Sequence, residues 1–173
     1  MNEKIKEKTK EEIEKEIVDY IKGHRPQYKT CALATSKDNI PRSTPVMYHH
    51  EGLNIWISTE KNKGGKVENI LSNPKVSLAI FDPVDSDYGW DDTRGLQLWG
   101  EAEIITYKEN ESEFNHAWNI MDSEGALKAF GREIPIEIVK NNLIYIKVKP
   151  ERISFVDSKK KRGYKAIWTR GKK

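Results

Sequence analysis

The stretch KNKGGK, from Lys61 to Lys66, places two adjacent glycines among three lysines, between a strand-like run and a short apolar helical pattern. Glycines are poor residues inside a helix, but at its entrance they let backbone N–H groups face outward. Such N–H groups beside lysine side chains favour a negatively charged group. The stretch therefore indicates a phosphate site, with a solvated surface loop as the alternative.

Other reactive residue types do not form a second obvious site. His49 and His50 are adjacent on a strand and point to opposite faces, so we expect surface histidines and no metal site. Cys31 is the only cysteine, which excludes an intramolecular disulfide, and its small neighbours predict a buried packing residue. Trp90 lies in the acidic loop DPVDSDYGWDDTRG, where it either packs back onto the protein or covers a ligand.

Composition fits one compact domain of 173 residues and 20.0 kDa. The net charge of +3 argues against a nucleic-acid binder, although the closing KKKRGYKAIWTRGKK is locally basic. The chain has no run of 18 apolar residues and no hydrophobic signal region at its charged N-terminus. With a single cysteine, this predicts a cytoplasmic protein that does not enter membranes.

Hydrophobic periodicity divides the chain into three parts of one structural unit. Apolar residues that include Ile13 and Ile17 share one face, which predicts an amphipathic helix over residues 1–22. A β-rich domain is predicted over 23–158 and a basic C-terminal tail over 159–173.

The β-rich domain has the pattern of a strand meander with helical interruptions. Asp38-Asn39 predicts a hairpin, and a helix is predicted from Lys66 to Leu71. Gly100 is placed where a bulge is expected, and Pro150 is expected to break the last long run into two strands. Two helical pieces, ESEFNHAWNIM and Glu124–Phe130, lie between them. Six or seven short antiparallel strands decorated by helices predict a barrel.

Three segments then carry a resemblance: ALATSKDNIPRSTPVMY, LNIWISTEKNKGGKVENILSNPKVSLAIFD and LQLWGEAEII, in this order. Together they resemble the pyridoxamine 5'-phosphate oxidase-like family of flavin-binding split barrels, over Tyr28 to Tyr107. The most specific part is a strand ending in Ser/Thr, a lysine that opens a short helix, and then NILSNPKVSL. The resemblance implies a mainly β fold with helices, an antiparallel split β-barrel, and a homodimer with FMN in a groove between the subunits.

The resemblance also implies which residues hold the cofactor phosphate. Arg42 matches the strand arginine that the family directs at the FMN phosphate, a role that suits a planar guanidinium. Lys66 matches the lysine that opens the helix and completes the phosphate site. Ser58 and Thr59 match hydroxyl-bearing residues at the end of the preceding strand.

The same resemblance implies roles for further residues. Lys61 and Lys63 lie close in sequence and are expected to assist at the phosphate. Near the flavin, the resemblance places Ser43, Thr44, Pro45, Gln97 and, in the C-terminal part, Trp168. The oxidase's closing Arg-x-His substrate motif is absent, because this chain ends YKAIWTRGKK. Oxidation of pyridoxine phosphate is therefore not implied.

The function implied is a flavin-dependent oxidoreductase that acts on an unidentified small molecule. The lack of an evident acid–base pair suits such a protein, because the cofactor carries out the hydride chemistry. The alternatives are a non-catalytic flavin-binding or redox-sensing protein and a relative that binds deazaflavin or haem. A barrel that binds nucleic acid through the tail is disfavoured, since basic residues do not alternate with exposed aromatic residues in the strands. A homodimer is also expected because Trp56, Trp99 and Trp168 would be hard for a 20.0 kDa monomer to cover.

Overall fold

The computed structural model describes residues 8–23, 29–61, 64–84, 92–129 and 135–171. The helices in these ranges are α1 (Lys10–Gly23), α2 (Lys66–Ser72), α3 (Glu111–Ile120), α4 (Ser123–Ala129) and α5 (Ile136–Asn142). The strands are β1 (Thr30–Lys37), β2 (Ile40–Met47), β3 (His49–Glu51), β4 (Asn54–Glu60), β5 (Lys75–Phe81), β6 (Arg94–Thr106), β7 (Leu143–Asp157) and β8 (Lys165–Thr169).

The strands form one antiparallel sheet in the order β2-β1-β5-β6-β7-β4-β3. The second half of the long strand β7 pairs with β8, while its first half pairs with β4. The sheet is not closed into a barrel by hydrogen bonds, since its path begins at β2 and ends at β3. The predicted mainly antiparallel β fold with helices is confirmed, with eight strands in the described residues instead of six or seven.

Local sequence signals account for the first hairpin and for α2. Asp38 and Asn39 both have positive φ, 53° and 62°, as the central residues of a two-residue hairpin of the I′ type require. The predicted hairpin is therefore confirmed. The helix predicted from Lys66 to Leu71 is also confirmed and extends by one residue to Ser72.

A bulge between β6 and β7 carries the sheet past Pro150. Trp99 pairs with Arg152 and Gly100 pairs with Pro150, so Glu151 is the extra residue. A Cβ on Gly100 would lie 2.2 Å from the backbone oxygen of Lys149, so this close approach requires glycine.

The bulge predicted at Gly100 is confirmed, but the expected break at Pro150 is wrong. Strand β7 runs without interruption from Leu143 to Asp157. The bulge accommodates the proline, which has no N–H to contribute to the ladder, and pairing resumes on both sides.

Two apolar clusters lie on opposite faces of the sheet. The main core contains inward side chains of most strands together with α1, among them Ile17, Leu33, Ile57, Leu98, Ile146 and Phe155. The second core lies beneath α3 and contains Trp56, Ile105, Phe114, Trp118 and Tyr145. In β4 and β7, side chains on both faces of the sheet are buried. The sequences of these two strands are therefore nearly continuous runs of apolar residues.

Part of the segment assigned to the basic tail is folded. Residues 165–169 form β8, in which Ala166 and Trp168 alternate inward with exposed neighbours. Helix α1 packs beside this strand, and the hydroxyl of Tyr164 donates to the carboxylate of Glu16 on α1. The N-terminal helix and the C-terminal segment therefore stabilise each other.

Candidate functional site

Arg42 reaches from β2 to the start of α2. Its backbone pairs with Thr35 of β1, and its guanidinium lies over Gly65, the residue before the helix. A Cβ built on Gly65 would be 3.2 Å from Cζ of Arg42 and 3.3 Å from each terminal nitrogen. The missing side chain therefore makes room for the guanidinium.

Lys66 follows Gly65 and lies close enough to Arg42 for their charges to interact. Burial, and after it the positive charge of Arg42, lower the pKa of the Lys66 amine below its ordinary value. Two cations held next to each other are unfavourable without an anion, and a bound anion would relieve this repulsion. The structure thus brings together the two residues that were predicted to hold a phosphate.

An acidic residue whose charge interacts with Arg42 is already paired with another lysine. Glu68, on the first turn of α2, forms an ion pair with Lys37 of β1. Within the described part of the chain, no carboxylate lies within 4.0 Å of Arg42. The donor set therefore suits a phosphate.

Two asparagines fix α2 against β1. The side-chain amide of Asn69 donates to Oγ1 of Thr35 at 3.0 Å, and that of Asn73 donates to Oγ of Ser36 at 3.0 Å. Thr35 is also the strand partner of Arg42, so the same contact sets the position of both sides of the site. Sequence reasoning missed these residues, although Asn69 and Asn73 are four apart and share one face of a helix.

Ser43, Thr44 and Pro45, which were predicted to lie near the flavin, are divided between the two faces of β2. Thr44 is half-buried on the Arg42 side, where it pairs with Leu33 of the main core. Ser43 and Pro45 are exposed on the opposite side. Since side chains alternate along a strand, these three residues cannot all face one part of a ligand.

Gln97 lies on the same outward side of the sheet as Pro45. Successive strand pairings join Pro45 to Ala32, Ala32 to Ala79, and Ala79 to Gln97 in one row across four strands. The small alanines leave a shallow surface between the proline and the glutamine. We call this side of β2, β1, β5, β6 and β8 the outward face.

Ser58 and Thr59 also point to opposite sides. Thr59 is only 9% exposed and points to the side of the main core, as Ile57 does. Ser58 is exposed on the side of the second core, where its strand partner is Tyr145. Strand β4 packs against β2, so Thr59 is the one of the two that faces the Arg42 side.

Trp168 lies apart from the Arg42 cluster, against α1. Its indole N–H donates to Oε2 of Glu14 at 3.0 Å, and the Lys10 amine lies 5.1 Å from the ring centroid. The ring is 7% exposed and belongs to the main core. The Trp168 ring therefore lies between the main core and α1.

Lys61 faces a different pocket. It follows β4, and its backbone N–H donates to the carbonyl of Asn142 at 2.8 Å, at the end of α5. The pocket that it lines is formed by residues of β6, α5 and β7, and none of Arg42, Gly65 and Lys66 lines it. Lys63 and Trp90, which were also given roles from the sequence, lie outside the described residues.

Cysteine and metal chemistry can also be assessed in the described part of the chain. Burial raises the pKa of the Cys31 thiol to about 12, as expected for a packing residue. Among the described residues, no group of three or more His, Cys, Asp or Glu side chains is placed to hold a metal ion. No helix in the same part of the chain has the length and apolarity needed to cross a membrane.

Comparison with known proteins agrees with this fold. The family model described as "Pyridoxamine 5'-phosphate oxidase" matches residues 13–157. No protein with a curated description matches the chain.

Three solved structures are similar to the chain. General Stress Protein 26 from Bacillus anthracis is 22% identical, with a TM-score of 0.59 over 83% of this chain and 93% of that one. A heme binding protein from Mycobacterium smegmatis is 16% identical, with a TM-score of 0.64 over 94% of this chain and 59% of that one. A FAD-binding protein from Mesorhizobium loti is 16% identical, with a TM-score of 0.52 over 72% of this chain and 83% of that one. At these identities the likeness concerns the fold.

Proposed function

We propose, because this chain belongs to the pyridoxamine 5'-phosphate oxidase family, that it binds FMN and acts as a flavin-dependent oxidoreductase on an unidentified small molecule. The observation that carries the proposal is the placement of Arg42 and Lys66 around Gly65. A guanidinium beside an ammonium suits the oxygens of a phosphate. The FAD-binding and heme binding proteins of the same fold support cofactor binding and do not distinguish between cofactors.

FMN fits the site better than FAD on chemical grounds. FMN ends in a phosphate monoester, which carries about two negative charges near neutral pH, as phosphorylated side chains do. In FAD the phosphate is part of a pyrophosphate, and each phosphate group carries only about one negative charge, which two adjacent cations match less well. The buried hydroxyl of Thr59 faces the same side of the sheet and would serve as an additional donor.

The outward face offers a surface for the flavin ring. Pro45 and Gln97 lie in one row, with only Ala32 and Ala79 between them. Arg42 and Pro45 lie on opposite sides of β2, so an FMN molecule held by both would extend past this strand. Bound FMN would supply hydride or electron transfer, while the chain binds and orients it.

We further propose a homodimer that covers the outward face. Exposed apolar side chains on this face include Met47 at 66%, Phe81 at 63%, Ile167 at 44% and Trp99 at 36%. Patches of this kind are typical of protein interfaces. The earlier argument from uncovered tryptophans is wrong for Trp56 and Trp168, since the monomer already buries them, and it applies only to Trp99.

Light scattering tests the dimer. We expect about twice the chain mass of 20.0 kDa. Ile167→Asp on the outward face should shift the protein towards monomer, and Ile138→Asp on α5 is the control, because Ile138 is similarly exposed on another surface. A monomeric wild-type protein with full FMN occupancy, or equal effects of the two substitutions, would contradict the interface.

FMN and riboflavin titrations test the phosphate anchor. Arg42→Ala and Lys66→Ala should each weaken FMN binding by about ten- to a hundredfold, since a charge-assisted contact contributes roughly 1.5 to 3 kcal/mol. Riboflavin lacks the phosphate, so its affinity should change little. The matched controls are Arg162→Ala and Lys161→Ala, in the exposed turn after β7.

The outcomes separate the possible roles. Loss of FMN affinity with unchanged riboflavin affinity supports the anchor. Equal losses for both ligands would assign the residues to the ring or the fold, which circular dichroism distinguishes. Unchanged affinity for both ligands would return the KNKGGK stretch to a solvated loop.

A further inference from the structure

Helix α2, which begins with Lys66, is short and has one buried side chain. It has seven residues, and Ile70 is the one that belongs to the main core. A helix of this length is not stable alone, so its position is set by the elements that it packs against. Apolar contact is non-directional, and one such side chain does not define how the helix is rotated or shifted along the sheet. Polar contacts must therefore set its placement.

Asn69 connects the two halves of the proposed phosphate site. Its backbone N–H donates to the carbonyl oxygen of Gly65 at 2.9 Å, in the first turn of the helix, and its side-chain amide donates to Oγ1 of Thr35 at 3.0 Å. Thr35 is the strand partner of Arg42. One residue is therefore bonded both to the glycine under the guanidinium and to the strand position beside Arg42.

The Asn69–Thr35 hydrogen bond is shielded from water on the Thr35 side. Thr35 is only 4% exposed, so loss of the bond would leave a buried hydroxyl without this partner. The ion pair of Lys37 with Glu68 also joins β1 to α2, but it is exposed, and solvent weakens such pairs. We therefore expect the Asn69 contact to dominate the placement of the first turn of α2.

The Asn73–Ser36 hydrogen bond offers a comparison at the other end of α2. The Asn73 side-chain amide donates to Oγ of Ser36 at 3.0 Å, and Asn73 directly follows the helix. Ser36 pairs with Pro41 of β2, one position away from Arg42. This bond ties the same helix to the same strand, but it involves neither Gly65 nor the strand partner of Arg42.

We propose that Asn69, through Thr35, is a positioning residue for the phosphate site, and that Asn73 only stabilises the helix. Arg42 comes from the sheet and Lys66 from the helix, so the distance between their charges depends on where the helix docks. A phosphate that contacts both cations requires this distance to be set before it binds. The inference rests on the proposed phosphate site and assigns a residue that supports it.

FMN and riboflavin titrations of single variants test the proposal. Asn69→Ala should weaken FMN binding by about fivefold, as expected for the loss of one hydrogen bond, and should change riboflavin binding little. Asn73→Ala removes a bond of the same kind and should leave FMN affinity at the wild-type value. Thr35→Val should reproduce the effect of Asn69→Ala, whereas Thr35→Ser keeps the hydroxyl and should bind FMN as wild type does. Urea unfolding confirms that each variant is folded.

The Lys66 amine provides a measurement that needs no flavin. Burial, and after it the charge of Arg42, lower the pKa of this amine. Like charges repel, so a helix freed from Thr35 should let the two cations separate, and the Lys66 pKa should rise towards its ordinary value. NMR titration of the ligand-free protein should show this rise in Asn69→Ala and not in Asn73→Ala.

The outcomes separate the positioning role from the site itself. If Arg42→Ala weakens FMN binding but Asn69→Ala does not, the positioning role is wrong and the phosphate site stands. If Arg42→Ala has no effect on FMN binding, the phosphate site is wrong, and the Lys66 pKa alone then decides whether Asn69 places the helix. Equal losses of FMN affinity in Asn69→Ala and Asn73→Ala, an equal loss of riboflavin affinity, or an unchanged Lys66 pKa would overturn the proposal.

Discussion

Gly65→Ala is expected to weaken FMN binding without unfolding the protein. The new Cβ would lie 3.2 Å from Cζ of Arg42, whereas unstrained carbon pairs are roughly 3.5–4.0 Å apart. The guanidinium must therefore withdraw by a few tenths of an ångström. The backbone can accept alanine, since Gly65 has φ −67° and ψ 0°.

The size of the effect follows from one displaced contact. Hydrogen bonds are favourable over a narrow range of distances, so the withdrawal weakens the Arg42 contact with a phosphate. Complete loss of one charge-assisted contact, about 2 kcal/mol, corresponds to about thirtyfold weaker binding. A partial displacement should cost less, and we expect about fivefold.

Quenching of flavin fluorescence during titration measures this affinity, with riboflavin as the ligand that lacks the phosphate. Gly23→Ala is the matched variant, because a Cβ there meets no atom within 4 Å and no unusual φ is present. The double variant with Arg42→Ala completes a thermodynamic cycle. If Gly65→Ala acts through Arg42, it should have almost no further effect once the guanidinium is removed.

Three results would refute this reasoning. FMN affinity could be unchanged in Gly65→Ala, riboflavin binding could fall equally, or the two substitutions could be additive. Additivity would mean that the alanine acts elsewhere than on the Arg42 side chain.

Two further predictions concern the fold. Gly100→Ala should destabilise the protein by roughly 1 to 3 kcal/mol in urea unfolding, because its Cβ would lie 2.2 Å from the backbone oxygen of Lys149; stability equal to wild type would contradict the bulge. Burial alone would raise the pKa of Glu16, but hydrogen bonds from Lys8, Tyr164 and a second lysine lower it to about 2. Glu16→Gln should therefore destabilise at pH 7, and its difference from wild type should shrink as pH falls from 4.5 towards about 2; a pH-independent difference would contradict this.

The elements that local sequence determines could be predicted. The turn at Asp38-Asn39 depends on two residues that accept positive φ, and α2 depends on a short apolar pattern after Gly65. Arg42 and Lys66 were identified because their residue types and order resemble a family pattern. Their placement around Gly65 required the sheet and helix to assemble.

Features that depend on distant partners could not be predicted. Pro150 was expected to end a strand, but Gly100 on another strand lets the backbone pass in a bulge. The contact of Trp168 with Glu14 depends on where α1 docks, which the residue type does not reveal, and its predicted place near the cofactor stays a prediction. Lys61 was grouped with Lys66 by proximity in the sequence, whereas the structure directs it to another pocket.

The cofactor itself provides the most direct test of the central claim. The protein should be reconstituted with FMN, freed of unbound ligand and denatured, and the released chromophore should be identified by absorption and mass spectrometry. The account predicts FMN at close to one molecule per chain. Release of FAD, haem or a deazaflavin from the purified protein, or no bound chromophore after reconstitution with FMN, would contradict it.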